Sequence, residues 1–391
     1  MTQSADEAAR APDFAGLRAR FPIFERRTYI NSCSYGALSL DVQNAIGAYL
    51  QSRHEKGSDW NAWIGKAESV RALLAELVNC DADEMALTGS VSESVNNLAS
   101  AFDFSAGRNE VVLTDLDFPT TSQIWLARER AGARIRRARA DESGAAIALA
   151  KFDRLISDKT LIVSIPLVCY RNGAMLDVGP IVELARSRGA MVLLDAYQAA
   201  GSMRLDVRAL GVDFLVGGTL KYLIGGAGVG YCYVRAATKT DLTPVNSGWF
   251  AQEDVHAMDI YNNRPSHSAR RFESGTPNVP GMYVAEAGLK LLMSVGLDHV
   301  RARILSLNAE IARRAIRHGW RIVGSADPAL RGAMTAIKCA DAPALVARLD
   351  ARAITTSDRD GNLRISPHFY NDLSDIDRLF DALESERALI G

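Results

Sequence analysis

Two side chains in the stretch Leu193 to Val234, LLDAYQAAGSMRLDVRALGVDFLVGGTLKYLIGGAGVGYCYV, carry complementary chemistry. Asp195 closes one apolar run, and Lys221 sits in GGTLKYL just after another. In open α/β sheets the groups that bind ligands gather at the carboxyl ends of strands. The pattern therefore predicts a carboxylate and an amine at the same end of neighbouring strands. A lone aspartate there would be a turn or a helix cap; the lysine changes its meaning. Such a pair suits pyridoxal phosphate. The amine carries the cofactor as a Schiff base, while the carboxylate faces the pyridine nitrogen and favours its cationic form. A protonated ring can then accept electrons from a substrate carbanion.

The elements that must position this pair are short and apolar. Val111–Thr114, Leu161–Ile165, Met191–Asp195, Asp213–Gly217 and Val229–Val234 are rich in Val, Ile and Leu, and several are apolar throughout. Strands of that kind are buried on both faces, which predicts a largely parallel sheet covered by helices. Pro180–Arg188, with Gly189 just after it, predicts one helix; Ser92 to about Phe102 predicts another. The last third changes character. Gly281–Ser294 and His299–His318 have helical patterns, and Met334–Cys339, Ala342–Arg352 and Leu363–Ser366 read as strand, helix and strand. The expected organisation is an N-terminal segment (1–30) packed on a small C-terminal domain (286–391), with a large domain (31–285) between.

The 391 residues are 48% hydrophobic and 23% charged, with a formal net charge of −1. A large core is possible, and the basic excess of a nucleic-acid binder is missing. No apolar run approaches the ~20 residues that cross a bilayer, and the polar N-terminus has no signal core. The expectation is a soluble, cytoplasmic protein. Cys33, Cys80, Cys169, Cys232 and Cys339 are scattered, without a CxxC, and the six histidines show no metal spacing. Reduced thiols and no metal site are expected.

With these residues in view, the chain resembles the class V aminotransferase family of pyridoxal-phosphate enzymes, which includes cysteine desulfurases, selenocysteine lyases, kynureninases and isopenicillin N epimerase-like proteins. The D-x-x-Q…G-x-x-K arrangement carries the likeness, which runs from about Tyr29 to the C-terminus. It implies the fold type I architecture: a large domain with a mostly parallel seven-stranded sheet, plus a smaller α/β domain. It also implies roles for individual residues. YINSCSYGALS resembles an N-terminal signature in which Asn31 lines the substrate pocket. TGSVSESVNN resembles the phosphate-binding turn, with Val91 and Ser92 as donors at a helix N-terminus. A Ser90–Glu93 capping box is compatible with that role. Phe118, in DLDFPTTSQIW, matches the residue stacked on the pyridine face. Gln198 matches the partner of the phenolic oxygen, and Thr219 a hydroxyl donor to phosphate. GGAGVG resembles a tight turn leading into a strand, so a dinucleotide-binding loop is not supported. RRFESGTPNVPG resembles a stretch in which Thr276 reaches the phosphate of the neighbouring subunit, implying a homodimer with shared active sites. LRISPHFYND resembles the C-terminal signature in which Arg364 clamps the substrate carboxylate, a task suited to a planar guanidinium.

The chain also departs from its relatives. Many carry histidine immediately before the lysine, where this chain has Leu220; Tyr170 and Tyr222 are then the candidates for a second acid or base. LVCYRNG resembles the segment beside the cofactor's phenolic side, which implies that Tyr170 lies in the substrate-binding site, and Arg171 is a solvated loop charge or a partner for a second acidic group. Desulfurases keep a mobile cysteine in the loop before the C-terminal arginine; ITTSDRDGN here has none, which argues against a persulfide intermediate. Trp249, Phe250 and Tyr261 suit either the pocket border or interface packing. The expected activity lies at the α-carbon of an amino acid. A lyase cleaving a β-substituted amino acid, cysteine-derived ones among the candidates, is preferred, with an aminotransferase or epimerase as alternatives and a non-catalytic cofactor-binding protein as a remote one.

Overall fold

A computed structural model describes residues 12–239, 242–325 and 327–391. Its centre is a seven-stranded sheet. Across the sheet the strands run Met85–Thr88, Gly230–Val234, Phe214–Gly218, Met191–Asp195, Thr160–Pro166, Glu110–Thr114 and Arg134–Ala138. Gly230–Val234 is antiparallel to both neighbours, and the other pairings are parallel. The five apolar runs expected to be strands are all in this sheet, within a residue at each end. Phe214–Gly218, Gly230–Val234 and Glu110–Thr114 are buried along their whole length, as helices on both faces require.

Two strands of the sheet carried no strong local signal. Met85–Thr88 is only four residues long. Arg134–Ala138, with the sequence RIRRA, pairs on one side alone and exposes alternate residues. Charges on an edge strand discourage further pairing, and they also hide the apolar pattern that would announce a strand.

The helix expected at Pro180–Arg188 runs Val178–Ser187, and the one expected from Ser92 runs Val91–Ala99. Two helices near the N-terminus, Leu40–Lys56 and Trp60–Val78, pack against Val279–Val295. Gly296, at φ +83, separates that helix from Leu297–Arg317. Position 285 falls inside Val279–Val295, where Ala285 is buried in the main core.

The C-terminal third builds a four-stranded antiparallel sheet, in the order Ser357–Arg359, Asn362–Ile365, Thr335–Lys338, Ile322–Val323. The N-terminal segment docks here from residue 12 onward; its residues 1–11 lie outside the described residues. Thr28–Tyr29 pairs in parallel with Ile354–Thr355, and the Arg18 guanidinium forms two bonds with the buried Asp375 carboxylate, at 2.7 and 2.9 Å. No helix among the described residues is long and apolar enough to cross a membrane. Nor do those residues include a cluster of three or more His, Cys, Asp or Glu that could hold a metal.

Candidate active site

The parallel strands deliver Pro166 and Asp195 to one end of the sheet, and Lys221 follows the strand Phe214–Gly218 at the same end. There a cavity of about 300 Å³ opens. Its lining includes Asp195, Lys221, Phe118, Tyr170, Gln198, Val91 and Ser92. Seven of the eleven residues expected at the site from the sequence therefore share one space.

Lys221 is half-buried. Its Nζ lies 4.4 Å from the centre of the Tyr197 ring and 5.7 Å from that of Phe118. Burial pulls its pKa from 10.5 down to about 8, against the opposing pull of the Asp195 carboxylate. The backbone around it is held tightly. Leu220 O accepts from Gly36 N–H at 2.9 Å, and Lys221 O accepts from Ile224 N–H at 3.0 Å. A Cβ at Gly36 would stand 2.4 Å from Lys221 O, so this glycine is what lets the N-terminal signature reach the lysine turn.

Asp195 is buried, and burial raises its pKa. One oxygen accepts from Tyr197 N–H at 2.9 Å; the other takes no hydrogen bond from the described residues. A buried carboxylate with an open oxygen calls for a cation beside it. Across the cavity, the helix Val91–Ala99 begins at Ser90, whose side chain accepts from Glu93 N–H. Glu93 Oε2 in turn accepts from Gly89 N–H at 2.7 Å, so the capping box is displaced by one residue. Val91 N–H and Ser92 N–H are left without partners among the described residues. Two free donors at the positive end of a helix suit an anion. An amine, an open carboxylate and an anion cradle around one cavity fit a planar cationic ring with a phosphate arm, which is the form of pyridoxal phosphate.

Gln198 is buried and donates to Cys33 O at 3.1 Å. Phe118 is 42% exposed and meets Tyr170 edge to face at 4.9 Å. Its exposure is what separates it from the core phenylalanines.

Four expected residues are not brought to the cavity wall. Thr219 is fully buried, and its hydroxyl donates to Gly226 O at 2.9 Å, bracing the glycine turn behind the lysine. Thr276 is exposed and makes no side-chain hydrogen bond within the described residues. Asn31 and Arg364 meet each other instead, through Ser357. Its hydroxyl donates to Asn31 Oδ1 at 2.8 Å and accepts from Arg364 at 2.9 Å. Arg364 is 3% exposed and donates to Tyr170 O at 2.9 Å, so the group sits directly behind the Tyr170 wall. Among the described residues the arginine has no carboxylate partner, and its Nε has no hydrogen bond.

Of the two candidate acid–base tyrosines, only Tyr170 lines the cavity. Tyr222 is buried beside His368, its rings 5.8 Å apart, and burial pushes its hydroxyl pKa far up. Arg171 is tied to Asp360 at 3.1 Å, consistent with a loop charge.

Three residues near the lysine went unread in the sequence. Tyr197 supports Lys221 Nζ and was visible only as the residue two after Asp195. Thr120 shares a 2.7 Å hydrogen bond with Ser92 and lines the cavity. Asp117 is buried, and burial raises its pKa to about 8, with Asp195 adding a like charge.

Comparison with known proteins agrees with this geometry. The model of the family Aminotransferase class-V matches residues 42–379. An uncharacterized aminotransferase of Bacillus subtilis is 32% identical over 369 residues, covering 94% of this chain and 97% of its own. A kynureninase of Deinococcus radiodurans is 31% identical over 319 residues, covering 78% and 75%. In architecture the chain is similar to a cysteine desulfurase of Escherichia coli, with a TM-score of 0.86 and 20% identity over 97% of this chain and 100% of that one. With a family match across most of its length and close to a third of its residues shared with a full-length relative, this chain belongs to the class V aminotransferases and is a pyridoxal-phosphate-dependent enzyme.

Proposed function

We propose that this enzyme is a lyase that works at the α-carbon of a β-substituted amino acid, with Lys221 as the covalent anchor and Arg364 as the carboxylate clamp. The observation that carries the reading is the buried Arg364 guanidinium, which has no acidic partner among the described residues and lies behind the wall of the cavity that holds Lys221. A buried cation without a counterion is costly, and an amino acid's carboxylate would supply that counterion with two parallel hydrogen bonds.

Pyridoxal phosphate, when bound, supplies an electron sink that lets a bond at the α-carbon break. The chain's own residues do the rest. Asp195 would hold the positive charge of the ring nitrogen. Val91 N–H and Ser92 N–H, with the Ser92 hydroxyl, would receive the phosphate, and Thr219 braces the turn that carries the lysine. Phe118 would stack on the cofactor, and Gln198 would serve its phenolic oxygen. Arg364 and Asn31 would fix the substrate carboxylate and so orient the α-carbon; such orientation contributes on the order of 7–11 kcal/mol at best. Lys221 Nζ, neutral in part at pH 7 because its pKa is about 8, takes the α-proton. Leu220 can move no proton, so any return of a proton falls to the same lysine or to Tyr170, which lines the cavity.

The absence of a thiol in the hairpin 357–362 argues against a mobile persulfide carrier. Cys339 is buried, with its Sγ on Ile337 O at 3.4 Å, and Cys33 is 1% exposed on a fixed segment. We infer a homodimer, in which the exposed Thr276 reaches the partner's phosphate and the exposed Met258, Ile260 and Tyr261 pack against the second copy. A cytoplasmic setting suits its five unpaired cysteines.

The test is a screen of amino acids with the cofactor-loaded enzyme in deuterated water. A 2-oxo acid released with equimolar ammonia, and lost in Lys221→Ala, is expected. Amino-group transfer without ammonia would make the enzyme an aminotransferase, in keeping with the name of its Bacillus subtilis relative. Inversion with α-deuterium alone would make it an epimerase. No α-exchange with any amino acid would overturn the catalytic reading.

A further inference from the structure

We propose that Ser357 is a positioning residue for the reaction: its hydroxyl turns the Asn31 amide so that the NH2 group is presented, together with Arg364, to the substrate carboxylate. The inference rests on the carboxylate-clamp role proposed for Arg364 and adds the residue that sets the clamp's geometry.

The argument is one of donors and acceptors. A hydroxyl offers one donor and two acceptor lone pairs. Arg364 is donor only, so Ser357 Oγ must accept from it, at 2.9 Å. The Ser34 hydroxyl fills the second lone pair at 3.3 Å, and itself accepts from the same Arg364 nitrogen at 3.2 Å. The one Ser357 proton is then available, and its partner is Asn31 Oδ1 at 2.8 Å. The Cys33 thiol points to that same oxygen at 3.8 Å. With its carbonyl oxygen engaged from both sides, Asn31 can offer only N–H donors outward, and Nδ2 has no partner among the described residues. Arg364 Nε is likewise unpartnered and buried. The result is that Asn31 Nδ2 and Arg364 Nε both stay unspent while the two side chains are held by one hydroxyl, with the Cys33 thiol a further 3.9 Å contact to it.

Position also supports this role. Ser357 lies in the strand Ser357–Arg359, which pairs with Asn362–Ile365 so that Ser357 stands directly opposite Arg364. Asn31 reaches the same place through its bridge to Ser366. Two segments far apart in the chain, residues 31–34 and the hairpin 357–365, thus meet at a single hydroxyl.

The experiment uses the cofactor-loaded enzyme and two probes that react with lysine-bound pyridoxal phosphate whatever the natural substrate. Aminooxyacetate carries a carboxylate, and O-methylhydroxylamine does not. The second-order rate of the visible absorbance change is measured for each in the wild type, Ser357→Ala and Arg364→Ala. Loss of one hydrogen bond to a charged group predicts that Ser357→Ala slows aminooxyacetate about tenfold, with the O-methylhydroxylamine rate and the resting spectrum unchanged. A general structural defect would slow both probes. Equal slowing of both, or a change under twofold for aminooxyacetate while Arg364→Ala remains selective, overturns the role of Ser357 and leaves the clamp standing. If Arg364→Ala itself does not discriminate between the probes, the clamp assignment fails and this inference falls with it.

Discussion

Replacing Lys221 by methionine should destroy activity and yet stabilise the cofactor-free protein. Burial lowers the lysine's pKa from 10.5 to about 8, a gap of about 2.5 units, each equivalent to 1.36 kcal/mol. The folded state therefore disfavours the ammonium by about 3 kcal/mol, an upper bound because Lys221 still faces the open cavity. In the window between the two values the unfolded chain binds more protons than the folded one, so stability rises with pH. The penalty is full below about pH 8 and gone above about 10.5. The same gap explains why the site keeps a lysine: at pH 7 about one amine in ten is neutral, against roughly one in three thousand without the shift. The assay is urea denaturation of both proteins, stripped of cofactor, at pH 7 and pH 9.5. Lys221→Met should be more stable by up to about 3 kcal/mol at pH 7, and the advantage should shrink by at least half at pH 9.5. A variant no more stable at pH 7, or an advantage that does not change with pH, would refute burial as the cause of the shift.

Asp195→Asn keeps an acceptor for Tyr197 N–H but removes the charge proposed to partner the ring nitrogen. Turnover should fall about a hundredfold or more with cofactor still bound, and steady-state rates within tenfold of wild type would contradict the assignment. His368 is buried, donates from Nε2 to Tyr222 O at 2.9 Å and accepts Phe369 N–H at Nδ1. Burial lowers its pKa from 6.5 to about 4. The folded protein therefore binds fewer protons than the unfolded one in that window, and up to about 3 kcal/mol of stability is lost as pH falls through it. Melting temperatures at pH 7 and pH 5 should diverge less in His368→Gln than in the wild type.

Much of the cofactor half of the site was legible because it is local. Asp195 and Lys221 each end an apolar run, and burial on both sheet faces makes such runs visible without any tertiary knowledge. Val91, Ser92 and Phe118 lie within a few residues of a strand end, so their approach to the cavity follows from the strand's direction. The edge strand Arg134–Ala138 was hidden for the opposite reason: half of it faces water, and its composition answers to solvent.

Side-chain orientation was beyond local reading. Thr219 stands two residues from Lys221, and in a strand-like run that would point both the same way. The turn after Gly218 breaks the alternation and directs the hydroxyl at Gly226 O. Tyr222, adjacent to the lysine, is carried into the core beside His368.

The sequence by itself determined the family, five strands of the sheet and the placing of an amine and a carboxylate at one end of it, because periodicity and short motifs record which residues are buried and which end a strand. Only the tertiary structure brought the proposed substrate half together. Asn31, Ser34, Ser357 and Arg364 come from opposite ends of the chain, and their joint geometry depends on a strand pairing and on the single proton of one hydroxyl. A hydrogen-bond network closed by such long-range contacts leaves no periodic trace in any one segment.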